Sequence, residues 1–383
     1  MSNGAAYITH ISAFLPNPPV GNDDMERVLG QVGDRPSRAR RTVLRSNQIV
    51  SRHYAIDPET LQQNYNNTQM TAEAVRGLVG PGLDLNSIDC LSCGTSMADQ
   101  LMPSHAAMVH GELGLPPCEI VATSGICCSG MTALKYAYMG VISGQFSNAV
   151  ATGSDLSSGV MRADNFSDEY EARVAALEGN PELAFEKDFL RWMLSDGAGA
   201  MMIRNEPNPQ GLSLKINWLE IASYAGEIET CMYAGAVKQA DGSVTGWQNF
   251  SAGERARQSV MAVKQDVKLL NDNIVHYTLE KPLQALQQKH PLRTGDIDWF
   301  VPHYSSDFFR DRVMTGLAAV DLPIPQDRWF TNLATKGNTG AASMYIILEE
   351  LFHSGRLQPG QNLLCFIPES GRFSSAFMHL TVV

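Results

Sequence analysis

Three residues of types suited to acyl transfer, Cys128, His303 and Asn338, sit at places where predicted elements begin or end. A thiol at a helix N-terminus next to an imidazolium is acidified, because the helix dipole and the positive ring both favour thiolate. An Asn beside a His can hydrogen-bond a carbonyl oxygen where negative charge develops. Together they would form the apparatus of covalent catalysis through a thioester. Cys127, one residue off the expected helix start, reads instead as a small buried hydrophobe. His303 taken alone also fits a strand cap, and Asn338 alone fits an N-cap. Cys90-x-x-Cys93 fits alternating strand residues better than half a metal site, since no second CxxC or His pair accompanies it. The chain contains no GxxxxGK[ST] and no HExxH, so NTP hydrolysis and zincin chemistry have no support.

What brings the three together is an internal repeat. Ile88-Asp89 precedes an extended run at Cys90–Cys93, and Ile297-Asp298 precedes another at Trp299–Val301. Cys128-Ser129-Gly130 opens a segment with apolar residues at helical spacing, and Asn338-Thr339-Gly340 opens its counterpart. Ser143-Gly144 and Ser354-Gly355 close the two helices. Strands expected from Tyr7 to Leu15 and from Leu214 to Ile221 begin the halves, joined by a turn-rich linker at 205–211. The division falls at 1–208, carrying the Cys, and 209–383, carrying the His and the Asn. An acidic inserted cap is expected over about 156–191. Alternating strands and helices predict mostly parallel sheets covered by helices, and two such halves face to face give an α/β/α/β/α body. Asp196-Gly197-Ala198-Gly199-Ala200 reads as a tight turn between packed layers rather than a dinucleotide fingerprint.

The 383 residues are 44% hydrophobic and 18% charged, ample for a large core. A net charge of −11 argues against nonspecific binding to nucleic acid or anionic membranes. No apolar run is long enough to span a membrane, and the N-terminus shows no basic-then-apolar leader. Seven Cys in a chain of this length do not suggest a disulfide scaffold, so a cytoplasmic enzyme is expected.

Val121–Met131, Val301-Pro302-His303 and Lys336–Ser343 resemble, in this order, the nucleophile, histidine and asparagine segments of thiolase-fold condensing enzymes. The group they resemble most is the β-ketoacyl-acyl-carrier-protein synthase III branch. The resemblance covers essentially the whole chain. It implies a thiolase-like duplicated five-layered α/β/α/β/α fold, a homodimer, no cofactor, and a Cys128-His303-Asn338 triad working on acyl carrier protein or coenzyme A thioesters. Two departures stand out. The family's His-Gln-Ala-Asn is here His303-Tyr304-Ser305-Ser306, and its Gly-rich oxyanion loop is Glu369-Ser370-Gly371-Arg372-Phe373. With Arg52–Asp57, this second segment is similar to the dialkylresorcinol-forming and bacterial stilbene-forming ketosynthases, which imply condensation followed by ring closure. A linear β-ketoacyl product, or acyl transfer to an alcohol or amine, stays open. Cys…His…Asn is also the chain order of papain-like proteases, which need no duplication.

Ring closure requires a base, and Glu369, expected in the loop after a strand at 363–367, could supply it with Arg372 as its partner. Gly371 would lend a backbone donor. Arg35, Arg38, Arg40, Arg41, Arg45 and Arg52 invert the local charge of an acidic chain. Arg40, Arg41 and Arg45 are the residues expected to meet phosphopantetheine or an acidic carrier, against the plainer reading of a solvated face. Arg255, Arg257, Lys264 and Lys268, expected on a second helix, could extend the patch.

Overall fold

The computed structural model describes residues 4–32, 40–78, 80, 83–166 and 190–383. Its main sheet has strands β1 (Tyr7–Phe14), β2 (Cys90–Thr95), β3 (Glu119–Ser124), β4 (Asn148–Asp155) and β5 (Gly197–Arg204). These are followed by β6 (Leu214–Ser223), β7 (Trp299–Pro302), β8 (Asn362–Glu369) and β9 (Ser374–Val382). The principal helices are α1 (Arg40–Asn47), α2 (Asn67–Arg76), α3 (His105–Leu113), α4 (Cys128–Ile142), α5 (Val267–Val275), α6 (Lys281–Lys289), α7 (Arg310–Ala319) and α8 (Ser343–His353).

The strand order is β7-β8-β9-β6-β1-β5-β4-β2-β3. β2 runs parallel to β3 and β4, and β7 runs parallel to β8, but the other five pairings are antiparallel, so the sheet is not mostly parallel as expected. The two sheets expected to be separate are joined at an edge, where Tyr7 pairs with Lys215 and Ile8 with Leu214. Alternation along each strand sends neighbouring residues to opposite sides. Met201 of β5 faces the inner helices α4 and α8, packing with Leu134 and Leu348. Met202 faces the outer helices α2 and α3, with Val75 and Val109. On the far side, Phe366 and Phe377 of the second sheet pack against Leu270, Leu283 and Leu317 of α5, α6 and α7. The layers are therefore helix, sheet, helix, sheet, helix. Cys90 and Cys93 lie in clusters on opposite sheet faces, which excludes their sharing a metal.

The inner helices end as their sequences predict, at Gly144 and Gly355, both left-handed with φ of 78° and 73°. Their starts are not equivalent. α4 begins at Cys128, but a 3₁₀ turn at Gly340–Ala342 precedes α8, which begins only at Ser343. Gly337 and Gly340 hold positive φ, so the right-handed spiral cannot begin at Asn338.

Two further expectations are corrected. Asp196-Gly-Ala-Gly-Ala is not a turn: Gly197 starts the buried strand β5. Its glycines serve close packing, since a Cβ on Gly199 would lie 2.3 Å from the Cβ of Tyr345. Glu369 ends β8 rather than occupying the loop beyond it. Of the acidic insertion, the short helix Ser158–Met161 and a 3₁₀ turn at Ala163–Phe166 open the segment, and 167–189 lie outside the described residues.

Candidate active site

The C-terminal ends of the strands and the loops beyond them enclose one cavity of about 560 Å³. Its wall includes Cys127, His303 and Asn338, brought from three distant parts of the chain. The remainder is mostly apolar, and five of the seventeen methionines line it: Met97, Met161, Met193, Met232 and Met261. Methionine is flexible and polarizable, so such a wall adapts to ligands of different shape.

Cys128, the expected nucleophile, does not line this cavity. Its side chain is buried in the inner-helix core, with Sγ 3.5 Å from the Ile367 carbonyl oxygen. The preceding residue, Cys127, is the N-cap of α4 and is half-buried on the cavity wall. The two neighbours face differently because adjacent helical residues project about 100° apart around the axis. The expectation of an acidified thiol is also reversed. Burial pushes both thiols well above the ordinary range, and the charge of Glu369 pushes them further.

His303 follows β7 directly, its main-chain N–H bonded to the Phe366 carbonyl oxygen at 2.8 Å. The ring is buried, and desolvation lowers its pKa to about 4. It is therefore a neutral imidazole near pH 7, able to accept a proton or donate its own. Asn338 is fastened through both main-chain groups, N–H to Met193 at 3.0 Å and carbonyl to Ser195 at 2.9 Å. Its Oδ1 accepts from the Gly340 N–H at 3.0 Å, which leaves the amide NH₂ as the available donor. Gly130 and Gly153 both make room for this loop: a Cβ on either would come within 2.3 Å of the Ala341 carbonyl oxygen.

Two carboxylates hold matching positions. Asp155 ends β4 and Glu369 ends β8, each the eighth residue of its strand. Asp155 is fully engaged. It accepts from the Ala341 N–H at 2.7 Å, the Ser96 N–H at 2.8 Å, the Ser96 hydroxyl at 2.9 Å and the Thr95 hydroxyl at 3.3 Å. Burial raises its pKa to about 6 against the pull of these donors. It also borders the cavity. Sequence reasoning missed it, although an acid at the carboxyl end of a parallel strand is where α/β sheets place ligand-facing groups. Glu369 accepts two main-chain donors, from Ile126 at 3.1 Å and Cys128 at 3.0 Å. Burial raises its pKa, and these hydrogen bonds lower it.

The expected pairing of Glu369 with Arg372 is absent among the described residues. Arg372 is exposed at the cavity mouth, and its Nε donates to the Ile228 carbonyl at 3.2 Å. Gly371 also borders the cavity, and its carbonyl accepts the N–H groups of Cys231 and Met232.

The arginine patch contracts. Arg40 is a fastener, paired with Glu26 at 3.0 Å and Asp23 at 3.3 Å and lying over the Trp192 ring. Arg52 is buried and donates to Asn22 and Trp192. Arg35 and Arg38 lie outside the described residues. Arg41 and Arg45, one turn apart on α1, stay exposed. Lys264 is buried in a short strand, Arg255 stacks on Trp247, and Lys268 pairs with Asp272, so the proposed extension does not form one face. No helix among the described residues is long and apolar enough to cross a membrane.

Residues 287–367 match the family model of the 3-oxoacyl-[acyl-carrier-protein] synthase III C-terminal domain. The chain is 26% identical over 367 residues to β-ketoacyl-[acyl-carrier-protein] synthase III of Neisseria gonorrhoeae, covering 94% of each. It is 26% identical over 365 residues to the enzyme of the same name from Neisseria meningitidis serogroup B, again covering 94% of each. Among solved structures, AbyA1, a tetronic acid condensing enzyme, superposes with a TM-score of 0.75 at 19% identity, over 98% of this chain and 99% of the other. Xanthomonas campestris OleA with bound lauric acid and lauroyl-CoA superposes with a TM-score of 0.74 at 17% identity, over 99% of each. The fold is thus the thiolase-like one, and the likeness to synthase III enzymes runs over nearly the whole chain.

Proposed function

We infer that this thiolase-fold chain is a condensing ketosynthase of the synthase III-like group, joining two acyl thioesters through a cysteine-bound acyl intermediate. The observation that carries the reading is the mostly apolar cavity whose wall brings together Cys127, the neutral His303 and Asn338 with its free carboxamide NH₂.

The chemistry follows from what each group can do. The Cys127 thiol gives its proton to the neutral His303, and its sulfur attacks the thioester carbonyl. Main-chain N–H groups at the start of α4 are placed to receive the oxyanion, and the departing carrier thiolate takes the proton back from the imidazolium. The neutral His303 then takes a proton from the α-carbon of the second thioester, and the carbanion so formed attacks the Cys127 acyl carbonyl. His303 and the Asn338 amide donate hydrogen bonds to the enolate oxygen while that carbon attacks the acyl group. The C–S bond breaks, and the departing thiolate recovers the proton from His303. We assign the acyl-accepting role to Cys127 in place of Cys128 because it is the residue of the pair that borders the cavity.

For the second stage we propose cyclisation to a dialkylresorcinol or cyclohexanedione-type product, from a β-ketoacyl and an α,β-unsaturated acyl thioester. The carboxylate of Glu369, close to the start of α4, would take the proton of the carbon between two carbonyls, and Arg372 at the cavity mouth would hold an anionic group of the intermediate. A methionine-rich apolar wall supports two bulky acyl chains, and the OleA relative binds a lauroyl thioester. Acyl carrier protein or coenzyme A delivers the substrates, with exposed Arg41 and Arg45 meeting the carrier. The edge strand β3, with Ile120 exposed, suits pairing with a second copy into a homodimer.

The test is intact-mass analysis after incubation with acyl thioesters, followed by product analysis of Glu369→Gln. A mass increase on Cys127 and, in the variant, linear or hydrolysed product in place of a ring are expected. An unacylated wild-type enzyme would remove the ketosynthase reading. Undiminished ring formation by Glu369→Gln would remove the base.

A further inference from the structure

The start of α4 already holds an anion, and that anion belongs to the chain. We propose that Glu369 is the resident occupant of the oxyanion position, holding the N–H groups of Ile126 and Cys128 until an incoming thioester carbonyl displaces it. The inference rests on the ketosynthase reading for the identity of the displacing group.

One oxygen, Oε2, takes both donors, at 3.1 and 3.0 Å. An oxyanion formed on Cys127 would need the N–H of the following residue, the arrangement used at strand-to-helix nucleophile turns. The carboxylate and the oxyanion therefore compete for one place. A negative charge there also cancels the helix dipole and opposes ionisation of the adjacent thiols.

The contrast with Asp155 shows why Glu369 can leave. Asp155 is anchored by main-chain and side-chain donors from two segments, and a Cβ on Gly340 would come within 1.9 Å of its oxygen. Glu369 has one more methylene and accepts only main-chain donors. It is flanked by Gly125 and Gly371, where even an added Cβ would stay 3.6 and 3.4 Å from its oxygens. Four bonds fix the first carboxylate. Two bonds hold the second between two glycines, which lets it rotate towards the cavity. In leaving, it restores the dipole at the helix start and arrives where a base for ring closure is required. Binding of the first substrate and exposure of the base become one event.

The experiment measures alkylation of Cys127 by iodoacetamide at neutral pH, assigned by peptide fragmentation, in wild type, Glu369→Gln, Glu369→Ala and Asp155→Asn. Thermal melting confirms folding, and Gln preserves the shape of the native residue. Removing the charge is expected to raise the alkylation rate about tenfold, within the range of a helix-terminus charge effect. Asp155→Asn should leave it within about twofold, the small end of the same effect. Acyl transfer from a saturating thioester should also be faster in Glu369→Ala. An unchanged or slower alkylation in both folded Glu369 variants overturns the inference, even where wild-type Cys127 is acylated and the general function stands. Accelerated alkylation with no acylation of wild type sinks the ketosynthase reading and, with it, the carbonyl as displacing group.

Discussion

Cys127 and Cys128 are neighbours in the chain, yet they face different surroundings: the first lines the cavity with His303 and Asn338, and the second is buried beside the Ile367 carbonyl. Of the two, Cys127 is the residue that borders the cavity. Cys127→Ala is therefore expected to abolish acyl-enzyme formation, while Cys128→Ala retains it with a modest loss of stability. Intact mass and peptide mapping decide between them. Acylation lost only in Cys128→Ala would return the nucleophile to the register of the repeat.

The buried state of His303 predicts a pH dependence of definite sign. Its pKa in the folded chain is about 4, below the ordinary imidazole value of 6.5. Between these values the unfolded chain binds a proton that the folded one refuses. Its contribution is thus absent as a penalty above pH 6.5 and grows as pH falls towards 4, to about 3 kcal/mol at most. His303→Asn should lose less stability than wild type over that interval in paired denaturant titrations. Parallel curves would show that the ring is hydrated.

Asn338 should matter more for condensation than for the first acylation, because the amide is placed to hold the enolate of the second step, whereas His303 serves both steps. His303→Ala and Asn338→Ala are expected to form some acyl-enzyme in single-turnover assays and to give about a hundredfold less condensed product, the size typical of a lost oxyanion donor. Wild-type turnover in Asn338→Ala would exclude the amide from the mechanism.

The contraction of the arginine patch separates two classes of variant. Charge reversal at Arg41 and Arg45 should raise KM for carrier-bound substrate, with the effect fading at high salt. Arg40→Glu should instead lower the melting temperature, because it breaks the contacts to Glu26, Asp23 and Trp192. A salt-independent KM in Arg41→Glu/Arg45→Glu would return these residues to a solvated face.

Gly130→Ala should cost stability and displace the asparagine loop together, since its Cβ would strike the main-chain oxygen of Ala341. Overpacking of this kind costs about 1–3 kcal/mol. Calorimetry should show the loss, and condensation should fall further than acylation.

The layered fold was readable because the repeat repeats its punctuation: paired strands, paired helices and a left-handed glycine after each helix. The places of His303 and Asn338 followed from that register. Which of Cys127 and Cys128 borders the cavity was not legible, because a pattern of apolar spacing finds a helix face but not whether the cap or the first helical residue turns to the cavity. Arg40 and Arg41 are identical in sequence context, and only packing against Trp192 distinguishes a fastener from a free charge. Asp155 escaped notice because its partners, Ser96 and Ala341, are remote in sequence. Asp196–Ala200 misled because glycines that admit a neighbouring side chain look the same as glycines that turn a chain.

The exchange of strand-end carboxylates has a consequence for the chain's history and for its dissection. The acid of each half caps main-chain donors belonging to the other: Asp155 serves Ala341, and Glu369 serves Ile126 and Cys128. Each half therefore leaves main-chain donors at or before the start of its own inner helix to be satisfied by the other. Segments 1–208 and 209–383 produced separately should be unstable orphans, and produced together they should reassemble. A duplicated ancestor with two identical halves would have carried this reciprocity in symmetric form. With four donors on Asp155 and two on Glu369, the two ends are no longer interchangeable.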